Sequence, residues 1–227
     1  MSSHAPSLVV AFVLDASSSM SKQTEQTVSG VNEYIDNLKK DNEGKKVLFT
    51  LTKFDSGSQV IHAAVPITDV PEFTSEVYAV GGMTALYDAV GETITELEKR
   101  IDVETPALMV ILTDGEENSS TKYTLSAIKE MIANKKEKGW SFVFMGDGKD
   151  AWATGEALGT DASIKYDSTN MAMTMQGLSA GTKGYSESRT RGLAGSASAA
   201  CFDKAYTEAE GRGFDMNSTV DGTEGST

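Results

Sequence analysis

Three short stretches of this sequence carry side chains that could hold a cation. The first, LVVAFVLDASSSM (residues 8–20), runs from an apolar segment into Asp15 and then alternates hydroxyls at Ser17 and Ser19. The second, GGMTALYDAV (81–90), sets Thr84 after two glycines, and the third, LTDGEEN (112–118), places Asp114 directly after an apolar run. Carboxylates and hydroxyls are hard oxygen donors, suited to magnesium, manganese or calcium rather than to softer metals. Taken singly, each has a structural explanation. Ser17, Ser19 and Thr84 are residue types that cap helices or make turns, and an aspartate after a strand is common. A dinucleotide-binding loop and a P-loop are both excluded, because D-A-S-S-S has no glycine and no G-x-x-x-x-G-K-[ST] follows any strand.

The elements that must position these residues are legible in the hydrophobic pattern. LVVAFVL (8–14), ALMVILT (107–113) and SFVFM (141–145) are near-continuous apolar runs, as in strands buried on both faces. KVLFTLTKF (46–54) alternates, with Thr50 and Thr52 opposite Val47, Phe49 and Leu51, which predicts a less buried strand. QVIHAAVPI (59–67) follows the short DSGS link and predicts an antiparallel partner for it, with Pro66 suiting an edge. SIKY (163–166) is a weak sixth strand. Helical spacing appears at Val28, Val31, Ile35 and Leu38, at Leu86, Val90, Ile94, Leu97 and Ile101, and over 122–137. A shorter pattern covers Trp152 to Leu158. Alternation of this kind predicts an α/β domain, a doubly wound and mostly parallel sheet with helices on both faces. In such a sheet ligands bind beyond the carboxyl ends of the strands, where Asp15 and Asp114 would meet if 8–14 and 107–113 are neighbours.

Bulk properties narrow the function classes. The 227-residue chain is 39% hydrophobic, enough for a sizeable core, and carries a net charge of −13. The summed field of such a chain repels nucleic acid and anionic membranes, so neither is expected as a partner. Cys201 is the lone cysteine, which excludes an internal disulfide and a thiolate zinc site. No stretch approaches a membrane span, and Asp15 stands where a signal peptide would need small residues, so a cytoplasmic protein is expected. Residues 1–180 read as one domain. From 181 to 227 glycine, serine and alanine dominate, which predicts a flexible or loosely docked tail. One or two helical turns are expected around Cys201 to Glu210, and Lys183, Arg189 and Arg191 form a basic cluster that could meet a partner.

The combination Asp15-Ala16-Ser17-Ser18-Ser19, Thr84 within GGMTALYDA and Asp114 within LTDGEEN resembles a von Willebrand factor A (vWA) domain with a complete metal-ion-dependent adhesion site (MIDAS). The resemblance covers about residues 7–180. It implies a Rossmann-like fold with strand order 3-2-1-4-5-6 and one antiparallel edge strand. It also implies that Ser17 and Ser19 are direct metal ligands, that Thr84 and Asp114 bind directly or through water, and that Asp15 acts through water. The implied cofactor is a divalent cation, Mg2+ first and Mn2+ or Ca2+ as alternatives. The implied function is non-enzymatic: a protein partner supplies an Asp or Glu to the metal. Relatives of the bacterial or phage intracellular type work with ATPase machines, stress-response systems or larger assemblies. One departure is Met83, between Gly82 and Thr84 where many relatives have glycine directly before the threonine.

Around this set, Ser18 is expected to point away from the metal, and Glu116 and Glu117 to form an exposed acidic rim. Asp88, one turn past Thr84, is expected to buttress the loops. Two other function classes remain. A haloacid-dehalogenase-type, magnesium-dependent phosphohydrolase would use Asp15 as nucleophile. It would need an acid at position 17, where Ser17 stands, and a lysine, for which Lys149 is a loose candidate. Neither His4 nor His62 offers a base. The third class is a structural assembly protein that uses the fold and its tail as a scaffold.

Overall fold

The computed structural model describes residues 6–102, 105–147, 151–166, 170–195 and 199–205. In chain order the elements are β1 (Leu8–Asp15), a 3-10 turn (Ser18–Gln23), α1 (Thr24–Asp41), β2 (Val47–Phe54), β3 (Ser58–Pro66), α2 (Leu86–Glu98), β4 (Ala107–Thr113), α3 (Leu125–Glu137), β5 (Ser141–Asp147), α4 (Ala151–Leu158), β6 (Ala162–Tyr166) and α5 (Met171–Thr190). The strands form one sheet in the order β3-β2-β1-β4-β5-β6. β1 pairs in parallel with both β2 and β4, and β3 alone runs antiparallel at one edge. This is the expected doubly wound, Rossmann-like architecture.

Strand β1 is buried along its whole length because both faces are covered. Its side chains alternate between two cores, as the two-residue period of a strand requires. Val10, Phe12 and Leu14 pack with Val31, Tyr34 and Leu38 of α1 and Met175 and Leu178 of α5. Val9, Ala11 and Val13 pack with Leu86, Val90 and Ile94 of α2 and Ile128 and Ile132 of α3. Helix α3 ends as its KKEKG sequence foretells, with Lys135 and Lys136 in the last turn and Gly139 at φ 83°.

Two details are corrected. Strand β2 is less buried than β1, as expected, with Leu48 and Lys53 partly exposed, but its Thr50 and Thr52 are fully buried. Helix α2 covers that face, and the hydroxyls are used internally: Thr93 donates to Thr52 Oγ1 at 2.9 Å, and Ala64 N–H donates to Thr50 Oγ1 at 2.9 Å. Ala64 sits at φ 52°, at an irregularity in the β2–β3 register. Such bulges twist an edge strand away from further pairing.

The second correction concerns the boundary expected at residue 181, which falls inside α5. That helix continues to Thr190, and residues 199–205 are again helical. Two of the glycines that suggested flexibility are sites of close packing: a Cβ on Gly181 would lie 2.3 Å from the Phe202 ring, and one on Gly195 would lie 2.4 Å from Ser141 Oγ. Phe202 and Ala199 are fully buried, and the Phe202 ring packs tilted against Tyr185 with centroids 6.5 Å apart. The basic cluster is tied locally as well: Lys183 pairs with Asp41 at 3.0 Å, and Arg189 donates to the Leu193 carbonyl at 2.9 Å. The remaining tail, 206–227, lies outside the described residues, as do His4 and Lys149. Because Phe202 closes the α5 side of the core, Phe202→Ala should destabilise the protein by about 3–5 kcal/mol. A urea unfolding curve with an unchanged midpoint would show that this segment is not part of the cooperative fold.

Candidate metal centre

Parallel pairing brings the ends of β1 and β4 together. Leu14 lies opposite Leu112, so Asp15 and Thr113 end their strands side by side and Asp114 comes next. Asp15 is fully buried, and both its oxygens are engaged. Oδ1 accepts from the Ser17 N–H at 2.7 Å, and Oδ2 accepts from the Thr113 hydroxyl at 2.5 Å. The Tyr78 hydroxyl donates to the Asp15 main-chain carbonyl at 2.5 Å, which holds the strand end from the α1 side.

From Asp15 the donors continue as a chain of oxygens. Ser17 Oγ and Ser19 Oγ are 3.0 Å apart, and Ser19 donates to Asp114 Oδ1 at 2.5 Å. Neither serine serves as a cap: Ser17 precedes the 3-10 turn without a side-chain cap bond. Ser18 points elsewhere, donating to the Gly82 carbonyl at 2.9 Å. Gly115 lies against the centre of the cluster. A Cβ there would stand 3.1 Å from Thr84 Oγ1, 3.7 Å from Ser19 Oγ and 3.8 Å from Asp15 Oδ2. The five residues singled out in the sequence, Asp15, Ser17, Ser19, Thr84 and Asp114, therefore converge. Ser17 and Thr84 are buried, whereas Ser19 is exposed and Asp114 partly so, which leaves the cluster open to solvent on one side.

Thr84 is not an N-cap either. Helix α2 begins at Leu86 with no side-chain cap bond from its own flank. The β4–α3 loop caps it instead, since Glu117 Oε2 accepts from the Tyr87 N–H at 3.0 Å and Ser120 Oγ from the Asp88 N–H at 3.1 Å. Asn118 clasps Thr84 on both sides, accepting its N–H at 2.8 Å and donating its own N–H to the Thr84 carbonyl at 3.0 Å. The backbone of Thr84 is thus satisfied without its hydroxyl, which stays at the cluster. Gly82, at φ 72°, makes the turn before it, and Met83 N–H donates to Ser56 Oγ at 2.9 Å while its side chain stands exposed. The inserted methionine leaves the threonine in place.

Glu117 departs from the expected acidic rim. It is half-buried, and besides Tyr87 it accepts from the Ser119 and Ser120 N–H groups at 2.9 and 2.7 Å; Glu116 is exposed as expected. Asp88 buttresses the same loop, accepting from the N–H groups of Thr121, Lys122 and Tyr123 at 2.9 Å each. Burial alone would raise its pKa, but these bonds outweigh it and hold the carboxyl below its ordinary value. Thr113, Tyr78, Gln23 and Asn118 were not singled out by sequence. A hydroxyl ending the otherwise apolar run ALMVILT is the one signal that pointed to any of them.

Electrostatically the centre pairs a fully buried carboxylate, Asp15, with a partly buried one, Asp114. Burial pushes the Asp15 carboxyl up, against the hydrogen bonds from Thr113 and Ser17 and with the Asp114 charge adding to the rise. Burial likewise raises Asp114, against the Ser19 bond and with Asp147 adding. Among the described residues no three His, Cys, Asp or Glu side chains group as a metal site, so any cation here would draw on hydroxyls. No helix among them is long and apolar enough to cross a membrane.

The model of the von Willebrand factor type A domain matches residues 10–179. The chain belongs to this family. No curated protein matches it. Among solved structures, proximal thread matrix protein 1 from the mussel byssus, with a zinc-occupied MIDAS motif, shares 16% identity at a TM-score of 0.56, covering 77% of this chain and 45% of that one. The PilB minor pilin from Streptococcus sanguinis (D319A mutant) shares 12% at 0.58, covering 82% and 63%. The vWF domain of the type V pili tip protein Mfa5 from Porphyromonas gingivalis shares 10% at 0.58, covering 78% and 95%. The chain thus spans less than two thirds of the first two proteins. At these identities the likeness is one of fold, and the vWA assignment rests on the family match. Within this vWA domain, Asp88→Asn should lower stability by about 1–3 kcal/mol, because an amide cannot accept three N–H groups as the carboxylate does. A urea midpoint equal to the wild type would refute that role.

Proposed function

We propose that this vWA domain is a metal-dependent protein-interaction module. Its cation would be held by the hydroxyls of Ser17, Ser19 and Thr84 and the carboxylates of Asp15 and Asp114. The observation that carries this reading is the convergence of these oxygens: Thr84, Ser19 and Asp15 meet beside Gly115, and Ser19 in turn contacts Ser17 and Asp114. The donor set fits a hard dication. Adjacent ligands of an octahedral Mg2+ at about 2.1 Å lie about 3.0 Å apart, and Ser17 Oγ and Ser19 Oγ are 3.0 Å apart. Two carboxylates also balance the charge of a dication, relieving the repulsion that burial imposes on them. Mg2+ is the proposed metal, with Mn2+ or Ca2+ able to take the same oxygens.

A bound dication supplies a Lewis-acidic position that a partner's Asp or Glu can occupy. The chain's own residues do the rest: the neutral hydroxyls leave the metal's charge incompletely quenched, and exposed Ser19 marks the solvent side. Because the chain carries a charge of −13, long-range attraction to an acidic partner is absent, and selectivity falls to the rim around the metal. The zinc-occupied MIDAS of the byssus protein and the pilus proteins among its fold neighbours support this class of function. We propose no enzymatic activity: position 17 is Ser17, not the acid a phosphohydrolase needs, and His62 lies on the edge strand β3. A cytoplasmic setting suits the free Cys201.

Calorimetric titration with Mg2+ and Mn2+ should show a single binding site. Asp114→Ala and Ser17→Ala should abolish it, whereas Ser18→Ala should leave it unchanged. Equal affinity in all variants would refute the assignment. A pull-down with and without EDTA, repeated with Asp15→Ala, should lose the same partner under both treatments.

A further inference from the structure

The side chain of Gln23 reaches the centre from behind and lies outside the family's D-x-S-x-S, threonine and aspartate motif. It ends the 3-10 turn Ser18–Gln23, directly before α1 begins. The residue is 5% exposed, and its Nε2 donates to Asp114 Oδ2 at 3.1 Å and to Met20 Sδ at 3.1 Å. Both neighbours are acceptors only, an ionised carboxylate and a thioether, so the amide must turn its NH2 toward them. Its Oε1 is then left buried without a partner among the described residues. Leaving a buried acceptor unmatched costs stability, and an apolar residue of the same shape would avoid that cost. Packing therefore does not account for a glutamine here. The bond to Asp114 does: with Oδ2 held by Gln23, Oδ1 is turned to Ser19, at 2.5 Å, and so toward the oxygen cluster.

We propose that Gln23 is a positioning residue for the metal centre, fixing the rotation of the Asp114 carboxylate so that one oxygen faces the cation and the other does not. The inference rests on the metal-binding function proposed for this site. Residues that orient a ligand in this way typically contribute 10–100-fold to metal affinity.

The test uses Mn2+ alone as probe, on the full chain. Gln23→Met keeps the length and shape of the side chain but removes the donor. It should bind Mn2+ about 10–100-fold more weakly, while its thermal midpoint in EDTA stays equal to or above that of the wild type. The electron paramagnetic resonance spectrum of bound Mn2+ should also change, because one carboxylate ligand has lost its fixed orientation. Gln23→Asn, one methylene too short to reach Asp114, should lose affinity in the same way and serves where the methionine variant does not fold. Wild-type affinity and spectrum in either folded variant overturn the proposal, and failure of both to fold assigns Gln23 to the core and overturns it too. A wild type that binds no Mn2+ instead overturns the metal reading itself, a result distinct from binding that is indifferent to residue 23.

Discussion

A buried and a partly buried carboxylate at the ends of neighbouring parallel strands are the constraint around which this molecule is organised. Asp15 and Asp114 sit at one edge because β1 and β4 run in the same direction and in register. That pairing in turn requires long crossovers through helices on both faces of the sheet. Two like charges so placed are unfavourable by themselves, and burial raises the pKa of both groups. Hydrogen-bond donors offset part of that cost. Thr113, Ser17 and Ser19 donate to the two carboxylates, and Gln23 donates to the second from behind. The divalent cation proposed for this site would complete the same logic by supplying positive charge between the two carboxylates.

The loops at this edge are fastened to one another rather than to their own helices. Helix α2 is capped by Glu117 and Ser120 of the β4–α3 loop, and that loop is held in turn by Asp88 of α2. The exchange is reciprocal: each segment satisfies backbone donors that the other leaves exposed. Its consequence for the centre is that Thr84 is placed by Asn118 through its backbone while its side chain remains uncommitted to capping. Tyr78 does the corresponding work from the other face, holding the Asp15 carbonyl. An oxygen cluster assembled from three separate loops needs such cross-bracing, since no single loop contains enough of it to hold its own geometry.

At the opposite extreme from these polar ties is the packing of α5. Its glycines read as flexibility in a linear pattern, yet Gly181 is where the Phe202 ring presses against the helix backbone. Thr50 and Thr52 show the converse, since hydroxyls on a strand expected to be less buried are paired internally, with Ala64 of β3 and Thr93 of α2. In both cases the residue type was compatible with two environments, and which one applied depended on an element distant in sequence.

The sequence by itself determined the strands and the alternation that makes a parallel sheet, and it singled out five oxygen-bearing residues that the fold brings together. Continuous apolar runs can only be doubly covered strands here, and Asp15 and Asp114 come directly after two of them. Those are local properties, set by the period of the side chains and by the residue type that ends each apolar run. Only the tertiary structure decided that Thr84 is spared from capping, that Glu117 is a loop clamp rather than a rim charge, and that Gln23 stands behind Asp114. It also decided that the chain past residue 181 continues the fold. The reason is the same throughout: a hydrogen-bond donor or a glycine has no direction in a sequence, and its partner is chosen by which loops the sheet brings to one edge.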